Sequence, residues 1–124
     1  RLRNGIGRHF DFVAENPDLP RFIVNEVFAR PERYELMRRR IGPLAGNLMR
    51  EIQQELDAAA ACGRAEPIDA RMLLLDIISI NVFPFLAYPL IGPLLGDLAA
   101  DRETFFARRR AEHIEVILRR LNIH

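Results

Sequence analysis

The amino-acid sequence predicts an all-α fold, a bundle of about five helices forming one domain. Three observations predict it. Apolar residues recur at intervals of three and four along nearly the whole chain, and no segment alternates apolar with polar residues as a half-buried strand does. Capping and stop residues cut that pattern into helix-sized lengths. With 124 residues, 49% of them hydrophobic and 28% charged, the chain has the balance of a soluble globular domain and the length for a real core.

Leu2, Ile6, Phe10 and Val13 step by four, four and three and lay one apolar stripe along a first helix. Asn16-Pro17 predicts a restart, with Asn at the cap and Pro at the first helical position. The second helix, about residues 17–29, carries Leu19, Phe22, Ile23 and Val27 on one side, and Pro31 ends it. The third unit, about residues 32–62, reads as helix with a break or kink at Gly42-Pro43. Its apolar stripe is Met37, Ile41, Leu44, Leu48, Ile52, Leu56 and Ala59, and Arg38, Arg39, Arg50, Gln53, Gln54 and Asp57 lie opposite.

Gly63 is placed to cap that unit, and residues 63–68 read as a short polar loop. Asp69 can cap a fourth helix, which is apolar on nearly every side from Leu73 to Phe83 and so needs cover on more than one face. Pro84, Pro89 and Pro93 predict that it ends near Phe83 and that residues 84–96 form an apolar connection. The last helix opens at Asp101 and runs to about Leu121. Ala107, Ala111, Ile114, Leu118 and Leu121 give it heptad spacing, with alanines small enough for close helix approach. Ile41-Gly42-Pro43-Leu44 and Ile91-Gly92-Pro93-Leu94 read as two similar helix breaks, since their surroundings do not match.

Residues 77–96 carry no charge and are fenced by Asp76 and Asp97. Their length suits a membrane span, but three internal prolines and the lack of a flanking basic cluster argue for cover by protein instead. The net charge is +1, and all 18 basic residues are Arg. A dedicated nucleic-acid-binding domain is usually more basic and more asymmetric. The single cysteine, Cys62, forms no internal disulfide, and no secretory signal opens the chain, which together favour a cytoplasmic protein. The chain begins Arg1-Leu2-Arg3 rather than with Met, so it is expected to be part of a longer polypeptide.

Four stretches carry a family resemblance: Phe12-Val13-Ala14-Glu15-Asn16-Pro17-Asp18-Leu19-Pro20-Arg21-Phe22, then Ala59-Ala60-Ala61-Cys62-Gly63-Arg64, the Asp69-led apolar helix, and the Arg-rich helix Phe105 to Leu121. Together they span essentially the whole chain. In this order they resemble the C-terminal domain of the tetracycline-repressor (TetR) family of bacterial transcription regulators. The resemblance implies a homodimer formed by the last two long helices, joined with their copies in a four-helix bundle. It places Leu73, Ile77 and Ile80 with Ala107, Ala111, Ile114, Leu118 and Leu121 at that interface. It also implies a small-molecule pocket among the preceding helices, and operator DNA binding through a helix-turn-helix domain absent from this chain.

Met72, Asp76, Ser79 and Phe83 share one stripe, the mixture of apolar and few polar groups that ligand pockets use. The plainer reading leaves that stripe exposed, or pairs Asp76 with an Arg such as Arg71. Met37, Ile41, Leu44 and Leu48 could line the same cavity or simply pack, and Phe22 and Glu26 on the second helix are similar. The lining predicts a small, largely apolar effector. Asn81 lies on another side of the helix and could bond across an interface.

Arg38-Arg39-Arg40 and Arg108-Arg109-Arg110 point in three directions each and form no single patch. Glu35–Arg39, Glu112–Arg108 and Glu115–Arg119 have the spacing of surface pairs. His9, His113 and His124 are scattered, no ligand set suggests a metal, and no nucleophile or phosphate loop stands out, so neither cofactor nor catalysis is expected. The alternative to a ligand-sensing domain is a purely structural helical dimerisation module with a filled core.

Overall fold

A computed structural model describes residues 1–123, and His124 lies outside the described residues. It is all-helical, with no strand among the described residues. Helix α1 spans Leu2–Glu15, α2 Leu19–Ile23, α3 Glu32–Ala61, α4 Ala70–Leu94 and α5 Arg102–Arg120. One π-helical turn, Val24–Phe28, continues α2, and a short 3₁₀ turn, Gly96–Ala99, precedes α5.

The predicted α1 stripe is the buried one: Ile6, Phe10 and Val13 face the core. Asn16 closes α1 rather than opening α2. Its backbone N–H and its side-chain amide both donate to the Phe12 carbonyl, satisfying one of the acceptors that a helix end leaves free. The second helix therefore starts at Leu19, with Asp18 at the cap and Pro20 buried in its first turn.

Helix α3 is continuous for 30 residues, and the break expected at Gly42-Pro43 does not end it. Pro43 and Arg39, whose carbonyl loses its partner, are both on exposed turns, where water can take the place of the missing bond. The end of α3 is as expected. Gly63 has φ +73°, its N–H reaches the Ala60 carbonyl, and Arg64 N–H reaches that of Ala59, the paired bonds of a glycine-terminated helix.

Asp69 caps α4 by accepting from Arg71 N–H at 2.8 Å. The Arg71 guanidinium on the same carboxylate, with that backbone bond, lowers the Asp69 pKa to about 2. The expected stop at Phe83 is overturned, because α4 runs on through Pro84, Pro89 and Pro93 to Leu94. Ala70, Leu73, Ile77, Asn81, Pro84 and Gly92 are buried at helical spacing, so the inward face continues past the first proline. Packing outweighs local propensity there. Gly96, at φ +59°, makes the turn that follows. Asn122 then terminates α5 in the left-handed region, with Ile123 N–H on the Leu118 carbonyl.

Helices α1 and α5 and the C-terminal half of α3 cover the inward side of α4. One core cluster gathers Ile6, Leu56, Leu73, Ile77, Ile117 and Leu121; a second gathers Phe10, Val13, Phe85, Ala99, Phe105 and Phe106. In the second, Phe85 stacks on Phe106 at 4.2 Å, and Arg102 lies over the Tyr88 and Phe106 rings. Five residues expected at a dimer interface, Leu73, Ile77, Ile114, Leu118 and Leu121, are thus buried in their own chain. Heptad spacing marks a seam, and here the seam is between α5 and its own α1 and α4. Of that set, Ile80, Ala107 and Ala111 retain surface.

Because Leu73 is fully enclosed, Leu73→Ala should lower unfolding free energy by about 2–5 kcal/mol in urea melts. Asp69→Ala should cost about 1 kcal/mol by removing the α4 cap.

Candidate functional site

Helix α4 has two sides of different character. At the middle of its inward side Asn81 meets His113 of α5, and these are two of the most buried polar groups in the molecule. Asn81 Nδ2 donates to the Ile6 carbonyl of α1 at 3.2 Å and to His9 Nδ1 at 3.0 Å. Its Oδ1 accepts from His113 Nδ1 of α5 at 2.8 Å, and His113 Nε2 accepts from Arg109 Nε at 3.1 Å. A carbonyl can only accept, so the Ile6 contact orients the Asn81 amide. The amide in turn sets the tautomer of each neutral ring: Nε2–H on His9 and Nδ1–H on His113. Burial lowers the His9 pKa; burial first, then the Arg109 charge, lowers that of His113 to about 4. Among the described residues no buried side-chain polar atom is left without a partner. Three helices are therefore tied at one polar node.

The outward side of α4 carries Met72, Leu75, Asp76, Ser79, Phe83, Leu90 and Leu94, all exposed. Leu90 and Leu94 are 69% and 76% exposed, unusual for leucine on a long helix. The predicted stripe Met72–Asp76–Ser79–Phe83 exists as a face, but it looks away from the core. Asp76 makes no ion pair among the described residues, and Arg71 serves Asp69 instead.

The other expected lining residues are also turned outward. Phe22, Ile41, Leu44 and Leu48 are exposed, and Met37 is half-buried. Glu26 is held by Arg33, which donates to both its carboxylate and its carbonyl. Of the surface pairs expected from spacing, Glu35–Arg39 and Glu115–Arg119 form, while Arg108 and Glu112 stay apart. The ten residues expected around a ligand are not gathered into one enclosed cavity. Because α4 is apolar almost all round, spacing alone could not show which side turns inward.

A cleft of about 560 Å³ does open between the start of α1, the C-terminal half of α3 and the start of α4. Leu48, Ile52, Leu56, Leu73, Leu74 and Ile77 give it apolar walls, with Arg1, Glu51, Glu55 and Arg64 also lining it. Arg1 and Glu55 pair across it at 2.9 Å. Of the expected ligand residues only Leu48 lies here; Leu73 and Ile77, expected at an interface, line it instead. Ile52 and Leu56 were visible in the α3 stripe and continue it directly from Leu48. A second groove, about 600 Å³ between α1 and α5, is edged by Arg3, Arg8 and Arg110. It is the more polar and more open of the two, which makes the α3–α4 cleft the better small-molecule site. Among the described residues no group of His, Cys, Asp and Glu is placed to hold a metal.

Asn81→Leu keeps the side-chain volume but strands His113 Nδ1–H without an acceptor. It should cost about 1–3 kcal/mol in denaturant titration, with α1 the first element to lose amide protection. No protein-family model, no curated protein and no solved structure matches this chain.

Proposed function

We propose that this chain is the effector-sensing and dimerisation domain of a TetR-like bacterial transcription regulator, a cytoplasmic repressor whose DNA-reading heads lie outside the sequence. The observation that carries the reading is the outward face of α4. Along that face Met72, Leu75, Phe83, Leu90 and Leu94 are apolar and exposed, interrupted by Asp76 and Ser79, and only 22% of the most apolar window of this helix is buried. Contiguous apolar surface of this kind marks an interface. A second copy, packing α4 against its symmetry mate, covers that face in a self-complementary way. Ala107 and Ala111 of α5 open instead onto the groove beside α1, so the contact rests on α4.

The α3–α4 cleft is the proposed effector site, and its apolar walls fit a small, largely apolar molecule. Its binding would favour one relative placement of the two subunits over another. That placement sets the separation of two DNA-reading heads, which must match half-sites about one helical turn apart. The available work is the ligand's differential affinity for the two placements, typically about 1–3 kcal/mol.

Light scattering at micromolar concentration tests the assembly: the chain should run as a dimer, and Leu75→Glu with Leu90→Glu should convert it to folded monomer. A monomeric parent chain would sink the reading. Helix α4 is also long and apolar enough to cross a membrane by length and composition, and insolubility without detergent would favour that reading instead. The failure of the expected lining residues to enclose a cavity favours the alternative, a dimerisation module without a ligand. A thermal-shift screen with small apolar compounds separates the two. In the regulator reading some compounds raise the melting temperature, and Ile52→Trp, which fills the cleft, abolishes the shift.

A further inference from the structure

The polar node on the inward side of α4 joins α1, α4 and α5, and its hydrogen bonds are closed to any further proton. Each donor in the chain Ile6 C=O, Asn81, His113, Arg109 meets an acceptor, and the order can run in one direction only. A proton added to His113 must go on Nε2, where it meets the Arg109 N–H and its positive charge. A proton added to His9 must go on Nδ1, where it meets the Asn81 amide N–H. We propose that this node is an acid-sensitive latch: protonating His9 sets donor against donor at the Asn81 contact that joins α1 to α4, protonating His113 adds a second charge beside Arg109 beneath the cover of α1, and either change loosens α1 from α4.

The surroundings offer a protonated ring no compensation. From α5 the charged neighbour is Arg109, of the wrong sign. From α1 it is His9 itself; Asp11 is engaged by Arg110, which donates to it at 2.9 Å. Helix α4 contributes only Asn81 at this level, since its Asp76 is exposed on the outward side. Phe10 sits edge-on to the His113 ring at 5.5 Å, closing the remaining direction with an apolar group. His113 is 1% exposed while His9 is half-buried, so solvent protons reach the node from the α1 side.

The sense of the pH dependence follows. Both rings bind protons less readily in the closed state than the free imidazole does, His113 down to about 4 from 6.5. The opened state therefore takes up more protons. The latch is at full strength above about pH 6.5 and weakens as pH falls from there toward 4. By pH 5 the open population of α1 should have risen on the order of tenfold relative to pH 7.5.

Two measurements on the full chain test this. Long-range ¹H–¹⁵N imidazole spectra at pH 7.5 should show the Nδ1–H tautomer for His113 and the Nε2–H tautomer for His9; the opposite pair, or a protonated ring, overturns the latch. Hydrogen exchange, corrected for intrinsic rates, should show α1 amides losing protection about tenfold between pH 7.5 and 5, with α3 unchanged. The double variant His9→Gln, His113→Gln should abolish that loss. Equal loss in all helices, or a loss that persists in the double variant, overturns the proposal. If the variant does not fold, the tautomers and the wild-type exchange profile still decide.

Discussion

The structure turns on one imbalance: α4 is apolar on both sides, and the chain supplies cover for one. A helix of 25 residues with a carboxylate at position 76 and no other charge between Arg71 and its end must hide most of its circumference. Helix α1, α5 and half of α3 enclose the side bearing Leu73, Ile77, Asn81 and Pro84. Among the described residues nothing covers the side bearing Leu75, Phe83, Leu90 and Leu94. The same imbalance explains the tolerance of three prolines. With the inward face seated on two aromatic-rich and aliphatic clusters, the lost backbone bonds cost less than unseating the helix would.

What decides which side turns inward is a polar group. Leucine and isoleucine populate both faces of α4, so transfer of apolar surface from water does not distinguish them strongly. Asn81 does. Turned outward it keeps its water and constrains nothing; turned inward it is costly unless its hydrogen bonds are made, and here they are made in one arrangement. A fully satisfied buried polar network specifies one register more sharply than apolar packing, because a slip of one residue strands its donors. On this view Asn81 and His113 select the arrangement of α1, α4 and α5, and the hydrophobic clusters supply the bulk of its stability.

The parts legible in the sequence were those written in local chemistry. The α1 stripe, the C-terminal end of the α3 stripe at Ile52 and Leu56, the Asp69 cap, the Gly63 stop and the Asp101 start stand where spacing and capping place them, while Ile41, Leu44 and Leu48 of the same α3 stripe are exposed. Asn16 is locally ambiguous, because an Asn before Pro serves equally as the end of one helix or the start of the next, and only the Phe12 carbonyl settles it. The prolines of α4 do not end the helix, because their cost is local and the compensation is tertiary. The candidate site was the least legible. Met72 and Leu73 are adjacent and equally apolar, yet one is exposed and the other sealed. The partners of Asn81, which are Ile6, His9 and His113, lie 32 to 75 residues away along the chain, a separation no local pattern reports.

The node and the cleft share two elements and stand next to one another on both. Gly5 lines the cleft and Ile6 offers its carbonyl to the node; Ile77 lines the cleft and Asn81, one turn on, bridges the node. An occupant of the cleft that prefers a wider gap between α1 and α4 must stretch contacts now at 2.8–3.2 Å. Hydrogen bonds weaken steeply with misalignment, whereas the neighbouring aliphatic contacts give more gradually. The node is thus the stiffest connection near the cleft. Its few bonds, each worth about 0.5–1.5 kcal/mol net, together match the size of a typical allosteric coupling. A ligand that leaves the node intact can exert little leverage on α1, and one that breaks it must supply that energy from its own contacts. Any signal leaving the cleft through α1 is limited by the strength of Asn81's three bonds.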